Sequence, residues 1–171
     1  MVIWLIGLSG AGKTTVGERL ASRRKAVNPA TVYLDGDILR EVWRDSPGHT
    51  VEGRRINAER ISHLCKMLDV QGIDVVCSIL SIFPEWQAWN REHFSDYLEV
   101  YLKVPMECVL KRDVKGLYAK AFAGEMANVV GMDIEFPEPP NPDLVLDSSG
   151  ASGTPDDLVA AIERALGERC A

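Results

Sequence analysis

Residues 7–14 read Gly-Leu-Ser-Gly-Ala-Gly-Lys-Thr and satisfy the phosphate-loop pattern G-x-x-x-x-G-K-[ST] at every fixed position. The pattern works only between a strand and a helix: glycines curl the backbone so that successive N–H groups, with the positive end of the following helix, converge on phosphate oxygens. Both flanks are present. Val2 to Ile6 is a short apolar run of strand type, and Thr15 to Arg24 continues as a helix with Val16, Leu20 and Ala21 on one side. Gly10, Ala11, Gly12, Lys13, Thr14 and Thr15 are therefore the residues expected around a bound nucleotide triphosphate. Lys13 would reach the β- and γ-phosphates, and the Thr14 hydroxyl suits Mg²⁺, which prefers oxygen ligands and keeps several waters. A plain Gly-rich turn explains the glycines but not the lysine and threonine in register behind them.

Thr31 to Leu34 reads as a second strand and delivers Asp35-Gly36-Asp37 at its C-terminal end, where ligands gather in open parallel sheets. Two carboxylates around a glycine can orient Mg²⁺, accept a proton from a substrate hydroxyl, or cap a helix starting near Ile38. That helix, to Trp43, leads through a polar link at Ser46-Pro47-Gly48 to a charged helix from about Glu52 to Gln71, with Ile56, Ile61, Leu64, Cys65 and Leu68 as its apolar side. Arg40, Arg54, Arg55 and Arg60 make this the most basic part of the chain. Such a run is either a solvated face or, given arginine's rigid fork, a place for phosphate or sulfate oxygens.

Ile73 to Leu80 is a near-continuous apolar run, hence a central strand, closed by Ser78 and Ser81. No Asp stands at its end to hold a metal's water shell, which shifts that duty toward Thr14 and the Asp35/Asp37 pair. Pro84 to Phe94 is predicted as a helix, Leu98 to Val104 as a strand, Met106 onward as a helix, Asp143 to Leu146 as a strand and Pro155 to Leu166 as the last helix. The alternation predicts an α/β fold: a three-layer parallel sheet of about five strands in the nucleotide-kinase-like manner of phosphate-loop NTPases. Residues 1–171 are expected to form one domain, with a glycine-containing stretch at about 115–131 as a mobile lid.

Composition narrows the partners. With 171 residues and 46% hydrophobic content the chain can bury a sizeable core, and its net charge of −6 argues against a broad nucleic-acid face, leaving small phosphorylated ligands. Cys65, Cys77, Cys108 and Cys170 lack C-x-x-C spacing; the first three fall in apolar stretches and read as reduced and mostly buried, the pattern of a cytoplasmic protein. The N-terminal apolar run is short, has no basic flank and flows into the loop, so neither a signal peptide nor a membrane span is expected. A guanine-nucleotide switch would need N-K-x-D, which is absent, and the D-x-x-G letters at 69–72 and 147–150 stand at the wrong places. A non-catalytic nucleotide-binding module does not account for Lys13, Thr14, Asp35 and Asp37 together.

From Val2 to about Ser148 the chain resembles the adenylylsulfate (APS) kinase family. The resemblance is carried by Trp4 to Thr15, by Leu34-Asp35-Gly36-Asp37-Ile38-Leu39-Arg40, by the spacing of Arg54, Asn57 and Arg60, by Arg112 to Tyr118, and by the proline-rich Glu138 to Pro142. It implies an ATP- and Mg²⁺-dependent kinase, usually dimeric, that phosphorylates the ribose 3′-hydroxyl of a nucleotide. Asp37 then matches the base or hydroxyl-orienting group; Arg40, Arg54 and Asn57 match acceptor-holding residues; Ser81 matches a serine after the third strand. Lys115 matches a lid lysine beside Leu117, and Arg112 lies where ATP's base is approached.

The departures concentrate on the acceptor side. Gly48-His49 and Val129-Val130-Gly131 stand where the family commonly carries the two phenylalanines that sandwich the acceptor's adenine; Phe122 replaces an arginine, Ala127 a lysine, and Ser81-Ile82 a Ser-Pro. Stacking of a base on an aromatic contributes about 1–3 kcal/mol, so each lost partner weakens adenine binding by roughly tenfold or more. These departures open a second reading, in which a remodelled clamp takes another nucleotide, such as cytidine diphosphoramidate, with His49 as the remaining ring.

Overall fold

The first strand, β1 (Val2–Ile6), is buried at every residue, as an uninterrupted apolar run in mid-sheet requires. Its alternation divides the interior: Ile3 and Leu5 belong to one core cluster, Val2, Trp4 and Ile6 to the other. In the computed structural model, which describes residues 1–43, 47–113, 115–151 and 153–169, β1 is flanked by β3 (Asp74–Ile79) and β4 (Tyr97–Lys103), with β2 (Thr31–Asp35) and β5 (Leu144–Asp147) outside them. Every pairing is parallel and the order is β2-β3-β1-β4-β5. All C-terminal strand ends therefore face one edge.

Helices cover both faces, giving the predicted three layers. Helix α1 (Lys13–Val27) buries Val16, Leu20 and Ala21 against the first core and packs beside α7 (Pro155–Arg169). The second core takes Leu39 from α2 (Gly36–Val42) and Ile61 and Cys65 from α3 (Val51–Asp69), with Trp89 of α4 (Pro84–His93) packed against it. Two shorter helices, α5 (Met106–Arg112) and α6 (Leu117–Phe122), follow β4.

Two expectations change in detail. The inward side of α3 contains Asn57, Ser62 and Asp69 as well as Ile61 and Cys65, while Ile56, Leu64 and Leu68 are only half-buried. Periodicity registers apolar side chains but not polar ones whose partners come from another element. Cys65 and Cys77 are buried, whereas Cys108 is half-exposed on α5, and Cys170 and Ser46 lie outside the described residues.

The segment expected as a lid starts with a helix. Asp113 caps α6 by accepting the N–H groups of Tyr118 at 3.1 Å and Ala119 at 2.9 Å. Farther along, Val129 and Val130 are buried and Val130 bridges to Ile134.

Candidate active site

The phosphate loop owes its shape to Gly10 and Gly12, at φ +81° and +89°, conformations that disfavour any residue with a Cβ. Gly12 caps α1 without a side-chain bond, and the first turn of α1 has no acidic residue, so its N–H groups and dipole face outward uncompensated. The Lys13 ammonium folds back on the loop and donates to the Leu8 carbonyl at 2.8 Å. Desolvation pulls Lys13 down to about 8, against the charges of Asp37 and Asp35, which favour its protonated form. The loop is anchored from below by Ser78 of β3, whose hydroxyl donates to the Lys13 carbonyl at 3.1 Å.

Asp35 joins this loop to β2. Its Oδ2 accepts the Thr14 hydroxyl at 2.9 Å and the Tyr33 hydroxyl at 3.1 Å, while its Oδ1 caps α2 by accepting the Asp37 N–H at 2.9 Å. Tyr33 lies two residues earlier on the same face of the strand, and burial pushes its hydroxyl far above the ordinary range. The Thr14 hydroxyl and the Asp35 carboxylate thus form a small oxygen donor set, and no cluster of three or more His, Cys, Asp or Glu able to hold a metal occurs among the described residues. One hydroxyl and one carboxylate suit an ion such as Mg²⁺ that keeps its waters and takes further oxygens from substrate phosphates.

With capping assigned to Asp35, Asp37 is released to face the site. Its Oδ2 lies 2.5 Å from the Lys115 Nζ. Burial raises the Asp37 carboxyl, but the hydrogen bond and charge of Lys115, with Lys13 and Arg40 behind them, outweigh this and hold it below its ordinary value. Lys115 is correspondingly raised by its bond to Asp37. Three elements far apart in sequence thereby bring Lys13, Asp37 and Lys115 to one edge.

Two arginines of the basic region, Arg40 and Arg54, turn inward to backbone, whereas Arg55 pairs with Glu85 and Arg60 lies over the Trp43 ring. Arg40 Nη1 donates to the Gly48 carbonyl at 2.7 Å, and Arg54 donates through Nε to the His49 carbonyl at 2.8 Å and through Nη2 to the Asn128 carbonyl at 2.7 Å. Close approach of the 47–48 backbone to α3 requires Gly53, where a Cβ would meet the Pro47 carbonyl oxygen at 2.1 Å. Thr50 completes the corner, accepting the Gly53 N–H at 3.1 Å. His49 is exposed on this loop; burial and the neighbouring Arg40 and Arg54 keep its ring below the ordinary histidine value. Asn57 is 4% exposed, and its Oδ1 has no protein partner among the described residues.

The remaining predicted residues divide. Arg112 spans from α5 to the loop, with Nη1 on the Gly10 carbonyl at 3.2 Å and Nη2 on the Ser148 and Ser149 carbonyls at 2.8 and 2.7 Å. Leu117 opens α6, half-buried against the first core. Thr15 and Ala11 stay on the loop side, exposed and buried respectively. Ser81, at φ +51°, is buried, and its hydroxyl oxygen accepts from Trp4 Nε1 and Gln87 Nε2, both at 3.3 Å. Tyr33, Ser78, Asp133 and Tyr118, whose hydroxyl donates to the Ser9 carbonyl at 3.1 Å, were not legible as site-shaping residues, because their partners are backbone groups or, for Tyr33, the Asp35 carboxylate, which only the fold aims at them.

A phosphate loop after the central strand, a helix-capping carboxylate at the end of the edge strand β2, and a cationic wall opposite them define a small-molecule phosphotransferase of the phosphate-loop class. The chain belongs to the adenylylsulphate kinase family, whose model matches residues 1–147. It is 41% identical over 151 residues to a cytidine diphosphoramidate kinase from Campylobacter jejuni, covering 86% of each chain. It is 40% identical over 146 residues to an adenylyl-sulfate kinase from Halothermothrix orenii, covering 85% of this chain and 79% of that one. The structure superposes with a TM-score of 0.85 on the Mycobacterium tuberculosis APS kinase CysC in complex with AMPPNP and APS, at 32% identity over 97% and 96% of the two chains. The protein is thus a kinase transferring phosphate to a hydroxyl group. No helix among the described residues is long and apolar enough to cross a membrane.

Proposed function

We propose that this kinase uses ATP and Mg²⁺ to phosphorylate the ribose 3′-hydroxyl of adenylylsulfate. The observation that carries the reading is the convergence of Lys13, the Thr14–Asp35 donor pair and the Lys115–Asp37 pair at one sheet edge. Phosphoryl transfer needs in-line positioning and charge neutralisation more than covalent chemistry. Lys13 and the N–H groups of residues 10–15 hold the triphosphate, and Thr14 and Asp35 hold Mg²⁺, which supplies charge neutralisation at the phosphates when bound. Asp37 orients the acceptor hydroxyl and receives its proton; its low carboxyl pKa is compatible with a loose transition state, in which the proton moves late.

Lys115 moves from Asp37 to the phosphates as the 115–131 segment closes as a lid. Arg112, its N–H groups held by backbone carbonyls, offers the face of its guanidinium to the nucleotide base. Arg40, His49, Arg54, Asn57 and Leu117 surround the acceptor, and the buried Asn57 Oδ1 gains there the donor it lacks among the described residues. Ser81 shapes the wall beneath them. The working unit is a cytoplasmic homodimer.

A second reading of the acceptor has its own support. Val129 is 1% exposed and part of the core cluster, so this wall offers no ring to an adenine, and the similarity to the Campylobacter jejuni cytidine diphosphoramidate kinase runs through the same region. In that case the acceptor is a CDP-linked nucleotide. ATP consumption measured against APS, CDP-linked compounds, nucleoside monophosphates and no acceptor separates the outcomes. Turnover of micromolar APS supports the main reading, selective turnover of the CDP-linked compound supports the second, and hydrolysis independent of any acceptor refutes both.

A further inference from the structure

Arg54 stands between the two stretches of backbone that carry the altered acceptor-side positions. One of its donors holds the His49 carbonyl and another the Asn128 carbonyl, the residue immediately before Val129. Asn128 adopts φ +63°, a left-handed conformation uncommon outside glycine, so its carbonyl points at Arg54 only if the turn is held in place.

The holder is Asp133. Its Oδ2 accepts the Asn128 N–H at 2.6 Å and its Oδ1 the Val129 N–H at 2.5 Å, so one carboxylate grips two successive amides. The turn is closed by the Gly131 N–H on the Ile134 carbonyl at 2.7 Å and the Met132 N–H on the Val129 carbonyl at 3.0 Å. The amide bond from Asn128 lowers the Asp133 carboxyl from its ordinary value, with Val129 and the charge of Arg54 adding to the effect. Charge-assisted bonds of this kind are shorter and stronger than neutral ones.

We infer that Asp133 is a positioning residue for the acceptor: by fixing the Asn128 carbonyl it fixes Arg54, and through Arg54 the His49 loop, so that this relay sets the width of the slot receiving the acceptor's base. The inference rests on the acceptor reading above for what the slot receives, and on the hydrogen bonds alone for the relay. It gives Arg54 a second duty beside contact with an anion. It also explains how a slot without two flanking phenylalanines keeps its walls in register, since both walls are tied by backbone carbonyls to one guanidinium.

The test uses the full chain with Asp133→Asn, Asp133→Glu, Arg54→Ala and the Asp133→Asn/Arg54→Ala double variant. In steady-state kinetics Asp133→Asn raises the APS KM about tenfold, with kcat and the ATP KM within about twofold of wild type. Asp133→Glu, which keeps the charge, recovers part of the loss. Amide hydrogen exchange without nucleotide is the independent readout. Asp133→Asn accelerates exchange at residues 125–132 and also at 47–51, as Arg54→Ala does at 47–51, and the double variant adds little there because the two act in series. Exchange in β1 stays unchanged, which excludes general unfolding.

An unchanged APS KM, or acceleration confined to 125–132, overturns the proposal; in the latter case Asp133 merely caps its own turn. If the wild-type chain turns over no APS, it is the acceptor reading that fails. The kinetics are then run with CDP as the acceptor probe, and the exchange data decide the relay by themselves.

Discussion

The Lys115 ammonium sits 2.5 Å from Asp37 Oδ2, tying the stretch after α5 to the carboxylate that opens α2 across 78 residues of sequence. The two side chains are 63% and 67% exposed. A pair so open to water contributes only about 0.2–1 kcal/mol, so the tie breaks easily once a phosphate competes for the lysine. Weakness here suits the role proposed for Asp37, since under that proposal the contact has to release its carboxylate to the acceptor hydroxyl.

Asp37→Asn keeps the shape of the side chain and removes its charge and basicity. It is expected to lower kcat by about 10²-fold or more, the usual scale for a positioned proton acceptor, with the ATP KM little changed. Steady-state kinetics over both substrates checks this; a wild-type kcat for Asp37→Asn removes the residue from its assigned role.

Lys13→Ala removes the only loop side chain whose cation can follow the transferring phosphoryl group. Turnover is expected to fall by about 10²–10³-fold, the scale reported for loss of a single preorganised electrostatic contact, and calorimetric titration should show weaker ATP binding. Circular dichroism of the variant should match wild type, since among the described residues the lysine ammonium donates to the Leu8 carbonyl of its own loop and to no other element.

Gly53→Ala tests how the acceptor wall is built. A Cβ at this position would fall 2.1 Å from the Pro47 carbonyl oxygen and 3.0 Å from that of Gly48, both backbone atoms that cannot rotate aside. The 47–50 loop must lift from α3, and the bonds from Arg40 to Gly48 and from Arg54 to His49 lengthen with it. The expected result is a rise of about tenfold or more in acceptor KM with the ATP KM unchanged. Equal losses for both substrates would mean that the loop serves the whole fold and not one wall.

What could be read from the sequence follows from which residues dictate their own geometry. The phosphate loop forces a strand before it and a helix after it, so β1, α1 and the edge they define were legible from residues 2–24. Asp35-Gly36-Asp37 was legible as a pair, but not its division of labour: which carboxylate caps α2 depends on Thr14 and Tyr33 arriving from other directions. Ser81 shows the same limit. The resemblance matched it to a serine after the third strand, but nothing in the sequence told that the Trp4 indole and the Gln87 amide, delivered by neighbouring elements, would draw its hydroxyl into the interior. Asp133 carried no local signal at all, since its partners are two main-chain amides that exist as a pair only once the 128–131 turn has formed.

Asp69 contributes to the pH dependence of stability. Its carboxylate, fully buried at the end of α3, accepts the Ser95 N–H at 2.8 Å and the Ser95 hydroxyl at 2.5 Å and lies 3.6 Å from the Lys66 ammonium. Burial pushes its carboxyl up, but the Ser95 bonds, together with nearby positive charge, outweigh this and leave it below the ordinary 3.8. A carboxyl lowered in the folded state binds fewer protons than in the unfolded chain, so its contribution is fully present above the unfolded value and is lost as pH falls through the folded one. Urea unfolding should therefore show stability declining below about pH 4, the region of unperturbed Asp side chains. Asp69→Asn should cost about 1–3 kcal/mol at neutral pH, the scale of a broken buried hydrogen-bond pair, and the gap from wild type should narrow as the pH is lowered toward about 3, near the reference Asp value. Parallel curves for the two proteins across that range would show that the carboxylate charge contributes nothing, leaving Ser95 to be held by hydrogen-bond geometry alone.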